Sequence, residues 1–123
     1  MTPAVRVTVN GQPFRDVPMT RQIAQCYVAD SEPPLPDDWQ PTALTIAWLI
    51  EAQHMARRCG IATDTATCAY HMTPEAMMQV EGALIGRMEG TEVVATFRGF
   101  RVYCTREVPF CDFDVMADGE VAL

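Results

Sequence analysis

Apolar and polar residues alternate at the start of the chain with the two-residue period of a β-strand. The pair Asn10-Gly11 follows this run. It is a strong two-residue turn signal, because both residue types tolerate positive φ. The pattern predicts a β-hairpin over residues 4–16, whose first strand has the apolar positions Val5, Val7 and Val9. A short helix capped by Thr20 is predicted to follow, to about residue 29.

Two further segments have the 3.6-residue period of helices that pack on a core. The first, residues 42–59, is apolar nearly all round in its first half and ends before Gly60, which favours a buried central helix. The second, residues 74–88, begins with Thr73 as N-cap and Pro74 in the first turn. We expect the two helices to contribute core residues at Leu44, Trp48, Met55, Val80, Leu84 and Met88.

The remaining periodic segments predict strands. Residues 65–72 alternate, and residues 92–105 predict a second hairpin across Arg98-Gly99. A last strand over 108–116 is interrupted by Pro109, which is tolerated at the edge of a sheet, so we expect this strand at an edge. The predicted fold is a single α+β domain over residues 1–123. Its mostly antiparallel sheet is built from two hairpins and packs against the two main helices.

Two segments show neither period. Residues 30–41 contain four prolines and four acids but no cation, and they are predicted to form an acidic, Pro-rich loop. Residues 117–123 are predicted to be a frayed acidic tail.

The motif Val7-Thr8-Val9-Asn10-Gly11 resembles the first hairpin of β-grasp proteins such as the small sulphur carriers. The resemblance covers about a dozen residues and implies the geometry of the hairpin alone. The carriers end in Gly-Gly, whereas this sequence ends Gly-Glu-Val-Ala-Leu, so their role is not carried over.

Composition limits the classes of function. The 123 residues are 49% hydrophobic and 20% charged, which is typical of a globular protein with one core. The net charge of −7 argues against nucleic-acid binding, because phosphate contact needs a basic face. The single serine, Ser31, lies in the acidic loop with no base nearby in sequence, which argues against serine acyl chemistry. All nine cations are arginine, which is typical of GC-rich bacterial or phage coding sequences.

No targeting or membrane segment is recognisable in the sequence. The longest apolar stretch, from Ala43 to Ile50, is much shorter than the ~20 residues that span a bilayer. We therefore expect a cytoplasmic protein whose five cysteines are reduced thiols in apolar surroundings.

His54, Cys59, Cys68 and His71 are the candidates for a zinc-binding or thiol-dependent site. Cys-x-x-His is a recognised spacing of zinc ligands. However, five residues on a helix place His54 and Cys59 about 140° apart, and three residues on a strand place Cys68 and His71 on opposite faces. We therefore expect no metal and no other cofactor. A zinc-binding or thiol-dependent protein that uses these four residues is the alternative hypothesis.

Acidic residues are concentrated in two segments, 30–38 and 107–123, which together contain nine acids and no cation. Clustered acids can steer a basic partner and raise the association rate, or they can simply keep a small protein soluble. The hypothesis is a non-enzymatic inhibitor or adaptor, of phage or mobile-element origin, that binds the basic surface of a partner protein. The residues assigned to this contact are Asp37, Asp38, Trp39, Asp112 and Asp114.

Each part of that hypothesis has an alternative. Trp39 can be an anchor for the partner or can pack under the acidic loop as an extension of the core. Asp112 and Asp114 share one face of a strand, where alternating acids can contact a partner, ligate a cation or form a solvated outer face. A further alternative is a subunit whose apolar helix completes the core of a homodimer.

Overall fold

The computed structural model describes residues 5–28, 31, 33–61, 63–86 and 93–116. These residues form six strands and three helices around one hydrophobic core. The strands are β1 (Val5–Val9), β2 (Gln12–Val17), β3 (Cys68–Met72), β4 (Val93–Phe97), β5 (Phe100–Cys104) and β6 (Cys111–Val115). The helices are α1 (Arg21–Gln25), α2 (Ile46–Arg58) and α3 (Pro74–Gln79), and a 3₁₀ turn follows at Glu81–Ala83.

The strands form one mixed sheet in the order β2-β1-β6-β3-β5-β4. β1 runs parallel to β6 and β3 parallel to β5, while the other neighbours are antiparallel. The expectation of a mostly antiparallel sheet is therefore wrong. The expectation of an edge position for the last strand is also wrong, because β6 lies between β1 and β3. Pro109 lies before β6, so it removes no hydrogen bond from the ladder.

Both predicted hairpins are confirmed, and their turns explain why. Asn10 and Gly11 have φ values of 51° and 81°, and Arg98 and Gly99 have φ values of 50° and 88°. Positive φ at both central residues defines the type I′ turn, whose twist matches that of two antiparallel strands. The hairpins lie at the two ends of the sheet, so the segments between and after them supply β3 and β6.

Both main helices are shorter than predicted. α2 begins after Thr45, whose hydroxyl accepts a hydrogen bond from the Trp48 amide, so the residues from 42 to 44 precede the helix. α3 stops at Gln79 and is followed by the 3₁₀ turn; the chain is extended at Leu84, and Ile85 pairs with Thr96 of β4. The predicted C-terminal part of this helix, including Met88, partly lies outside the described residues.

The core lies between α2 and one face of the sheet. α2 contacts β1, β2 and β6, and its residues Leu49, Ala52 and Ala56 are fully buried. Tyr70 on β3 points toward α2, where its hydroxyl donates to the Leu49 carbonyl at 2.6 Å and accepts from the Gln53 amide at 2.8 Å. The apolar side of the helix is thus used within the chain itself.

The predicted core residues are confirmed in part. Leu44, Trp48 and Val80 are buried, whereas Met55 and Leu84 are half-buried at the margin of the core. No helix in the described ranges is long and apolar enough to cross a membrane.

Candidate functional site

The acidic loop is held in place by α1. From here on, the name acidic loop refers to residues 33–41 of the predicted 30–41 segment. The Arg21 guanidinium donates to the carbonyls of Leu35 and Pro36 at 2.6 and 3.0 Å, and the Gln25 side-chain oxygen accepts from the Leu35 amide at 3.2 Å. A turn follows, in which the Trp39 amide donates to the Pro36 carbonyl at 3.1 Å. The loop therefore has a defined path although it forms neither helix nor strand.

The turn of the acidic loop presents two neighbouring carboxylates to solvent. Asp37 and Asp38 are both exposed. Arg21 lies 3.4 Å from one Asp37 oxygen, but the Asp37 side chain is fully accessible, so this ion pair is weak. Trp39 is half-buried: it packs against the core and lines a hollow of about 100 Å³ with Met19 and other residues. It therefore has a buried part, as in the alternative above, and an accessible part beside the two acids.

Asp112 has a structural partner. Asp112 is 5% exposed. The Arg6 guanidinium donates a hydrogen bond to each of its two carboxylate oxygens, both at 2.8 Å. This paired contact raises the pKa of Arg6, chiefly through the hydrogen bond. It joins β1 to β6 on the face of the sheet opposite α2, because side chains alternate along each strand.

Asp114 is also engaged within the sheet. One of its carboxylate oxygens accepts from the Thr8 hydroxyl at 2.6 Å and from the Gly11 amide at 2.8 Å. Asp112 and Asp114 thus fix the first hairpin to β6. Their carboxylates are therefore less available to a partner than those of Asp37 and Asp38.

The four residues of the alternative function are spread over the fold. Cys68 is buried on the α2 side of β3, while His71 lies on the opposite face, where its ring stacks on Tyr103 with centroids 5.1 Å apart. His54 is half-buried on α2, and Cys59 is the C-cap of that helix. Within the described ranges, no three His, Cys, Asp or Glu side chains are placed to hold a metal together.

All five cysteines lie in the described part of the chain and are free thiols. Cys68 and Cys111 are buried, and burial raises the pKa of the Cys111 thiol well above its ordinary range. Cys59 and Cys104 are half-buried, but Cys26 is exposed. The expectation of apolar surroundings is therefore wrong for Cys26, which ends α1 and donates from its sulphur to the Gln22 carbonyl at 3.3 Å.

A second candidate site lies between two walls. One wall is α1 and the turn that follows it, and the other is α2. We call this space the helix cleft. Its volume is about 550 Å³. The α1 side contributes Ile23, Cys26 and Tyr27, and the α2 side contributes Glu51, His54 and Arg58. Sequence reasoning missed this site, although Glu51, His54 and Arg58 have the i, i+3, i+7 spacing that places side chains on one helix face.

The helix cleft contains an ion pair between a buried carboxylate and an exposed guanidinium. The Glu51 side chain is 6% exposed, and one of its oxygens lies 2.5 Å from a terminal nitrogen of Arg58, whose side chain is 56% exposed. The Tyr27 hydroxyl lies nearby, and the pKa of Tyr27 is raised, first by burial and then by the charge of Glu51. The cleft therefore has a covered carboxylate on its wall and an accessible guanidinium at its mouth.

Comparison with known proteins gives no match: no protein-family model, no curated protein and no solved structure is significantly similar to this chain.

Proposed function

We propose that this chain is a non-enzymatic binding protein that docks through its acidic loop on the basic surface of a partner protein. The observation that carries the proposal is the connection between α1 and the loop. Arg21 and Gln25 bind the backbone of Leu35 and Pro36, so the turn with Asp37 and Asp38 is held before any partner arrives.

This connection favours binding because a loop that is already ordered loses less conformational entropy on association. The prolines of the segment add to this effect by restricting φ. The two carboxylates project into solvent, where they can attract Arg or Lys side chains and accelerate encounter. The accessible part of Trp39 supplies apolar contact area beside them, as aromatic anchors do at interface hot spots.

The proposal assigns different roles to the two groups of acids. Asp37 and Asp38 meet the partner, whereas Asp112 and Asp114 support the sheet through Arg6, Thr8 and Gly11. An inhibitor or adaptor that acts in the cytoplasm of a bacterial or phage-infected cell fits this division, because its chemistry is contact rather than turnover.

The test uses an arginine-rich peptide with interspersed leucines as the probe. Isothermal titration calorimetry compares the wild type with two double variants, each of which removes two negative charges. Asp37→Asn with Asp38→Asn changes the loop, and Glu81→Gln with Glu107→Gln changes exposed acids elsewhere. The loop variant should lose about tenfold in affinity, since each exposed pair contributes up to about 1 kcal/mol, and the control should lose much less.

Equal losses in the two double variants would contradict the proposal, because the peptide would then respond to net charge alone. Trp39→Ala provides a further discrimination. If Trp39 is an anchor, this variant loses affinity and dissociates faster. If it loses stability but keeps the wild-type affinity, Trp39 belongs to the core and is not part of the contact.

A further inference from the structure

The helix cleft is a groove that opens to solvent: Cys26 is exposed, and the Arg58 side chain is 56% exposed. Here about 550 Å³ lies between α1 and α2, a volume within the usual range of small-molecule sites. The facing side chains combine apolar surface with ionisable groups at helical spacing. The helix cleft therefore has the volume and the mixed lining of a small-molecule site.

The polar groups of the helix cleft are mainly hydrogen-bond donors. A guanidinium carries five N–H donors, and within the described ranges the Arg58 side chain uses one terminal nitrogen, which donates to Glu51. The His54 side chain forms no hydrogen bond with any residue in the described ranges, so its imidazole N–H is available as well. The main acceptor is the Glu51 carboxylate, which is covered and already neutralised by Arg58. A ligand for this cleft should therefore supply acceptors for the remaining N–H donors of Arg58 and for His54.

The remaining lining defines the rest of the ligand. Ile23 and the Tyr27 ring provide an apolar surface on the α1 side of the cleft. Guanidinium groups favour carboxylates because their planar N–H pairs match the two oxygens. We propose that the helix cleft binds a small carboxylate whose apolar body lies against Ile23 and Tyr27 and whose charge meets Arg58 and His54. This site shares no lining residue with the acidic loop, although α1 contributes to both.

Cys26 offers a local reporter for occupancy. It lines the helix cleft and is the exposed thiol among the five cysteines. The Cys26 thiol first loses its proton to water, and its thiolate then attacks a disulfide reagent. The S–S bond of the reagent breaks, a mixed disulfide forms on Cys26, and the other half of the reagent leaves as a thiolate. A ligand that fills the cleft should block this attack.

The test measures the rate of Cys26 labelling by the neutral reagent dithiodipyridine in the presence of benzoate or benzamide. The two compounds have similar size, but only benzoate carries a carboxylate. Cys26→Ser identifies the labelling phase that belongs to this residue. Benzoate should slow that phase several-fold in a saturable manner, and benzamide should have little effect. Equal protection by both compounds, or no protection by benzoate, would overturn the proposal.

Two variants assign the effect to the cation in the cleft. Glu51→Gln with Arg58→Gln removes both partners of the ion pair, so it keeps the net charge and leaves no unpaired buried carboxylate. Arg57→Gln is the control for loss of a cation outside the cleft, because Arg57 donates to the Thr63 hydroxyl at 2.6 Å and does not line the cleft. Protection should disappear in the double variant and persist in the control. Full protection in the double variant would show that Arg58 does not recognise the carboxylate.

Discussion

Replacement of Trp48 tests the packing of α2 on the sheet. Trp48 is 3% exposed, and its indole N–H donates to the Val17 carbonyl at 2.7 Å, which ties α2 to the end of β2. Truncation of a buried Trp to Ala costs about 3–5 kcal/mol through lost apolar contact and the cavity left behind. The Val17 carbonyl also loses its donor, but water can enter from the adjacent hollow and satisfy it. We therefore expect Trp48→Ala to lose about 4 kcal/mol.

This loss is a large share of the roughly 5–15 kcal/mol that stabilises a typical domain. The measurement is urea unfolding followed by far-ultraviolet circular dichroism, with the slope checked against the wild type. Trp48→Phe separates the two contributions, since it retains most of the apolar volume and removes only the N–H, for a loss of about 1–2 kcal/mol. If Trp48→Ala unfolds within about 1 kcal/mol of the wild type, the described position of α2 is wrong.

Three further predictions concern charged and titratable groups. Asp112→Asn breaks the paired contact with Arg6 and should cost about 1–3 kcal/mol in urea unfolding; an unchanged midpoint would show that the contact is not structural. Arg58→Gln should lower the free energy of unfolding by about 1–3 kcal/mol, because it leaves the covered Glu51 carboxylate without its cation; water beside the exposed Arg58 position limits the loss. Adding Glu51→Gln should restore part of the lost stability. The raised pKa of Cys111 means that the unfolded chain releases this proton first, so stability should fall as pH rises above the ordinary thiol value of 9.0, and Cys111→Ala should flatten that fall.

Local features of this fold were predictable from the sequence because each depends on a few adjacent residues. Asn10-Gly11 and Arg98-Gly99 specify their turns through positive φ, and Thr20 and Thr73 cap their helices as expected. The hydrophobic period also located the central helix, to within a few residues at each end.

The order of the strands could not be predicted in the same way. The position of β6 depends on contacts between residues about a hundred positions apart, such as the pair formed by Arg6 and Asp112. Pro109 suggested an edge strand, but it lies in the preceding loop. A mixed sheet follows from this long-range pairing, which no local period records.

The two candidate sites differ in how far the sequence predicted them. The acid content of the loop was evident, but the hydrogen bonds from Arg21 that hold it were not, because they join segments about fifteen residues apart. The helix cleft was missed because the neighbours of His54 in the fold are not the cysteines that lie near it in the sequence. Its actual neighbours, Glu51 and Arg58, lie on the same helix face, and Cys26 comes from a different helix.

Nuclear magnetic resonance tests the proposed docking surface most directly. The arginine-rich peptide is titrated into labelled wild-type protein, and the shift of every assigned backbone amide is followed at physiological ionic strength. If the acidic loop is the docking surface, the largest saturable shifts should lie in the loop residues that are not proline, Leu35 and residues 37–40, and in Arg21, which holds the loop. Shifts that are spread over all the acidic residues, or centred on the β6 acids Asp112 and Asp114, would contradict the account.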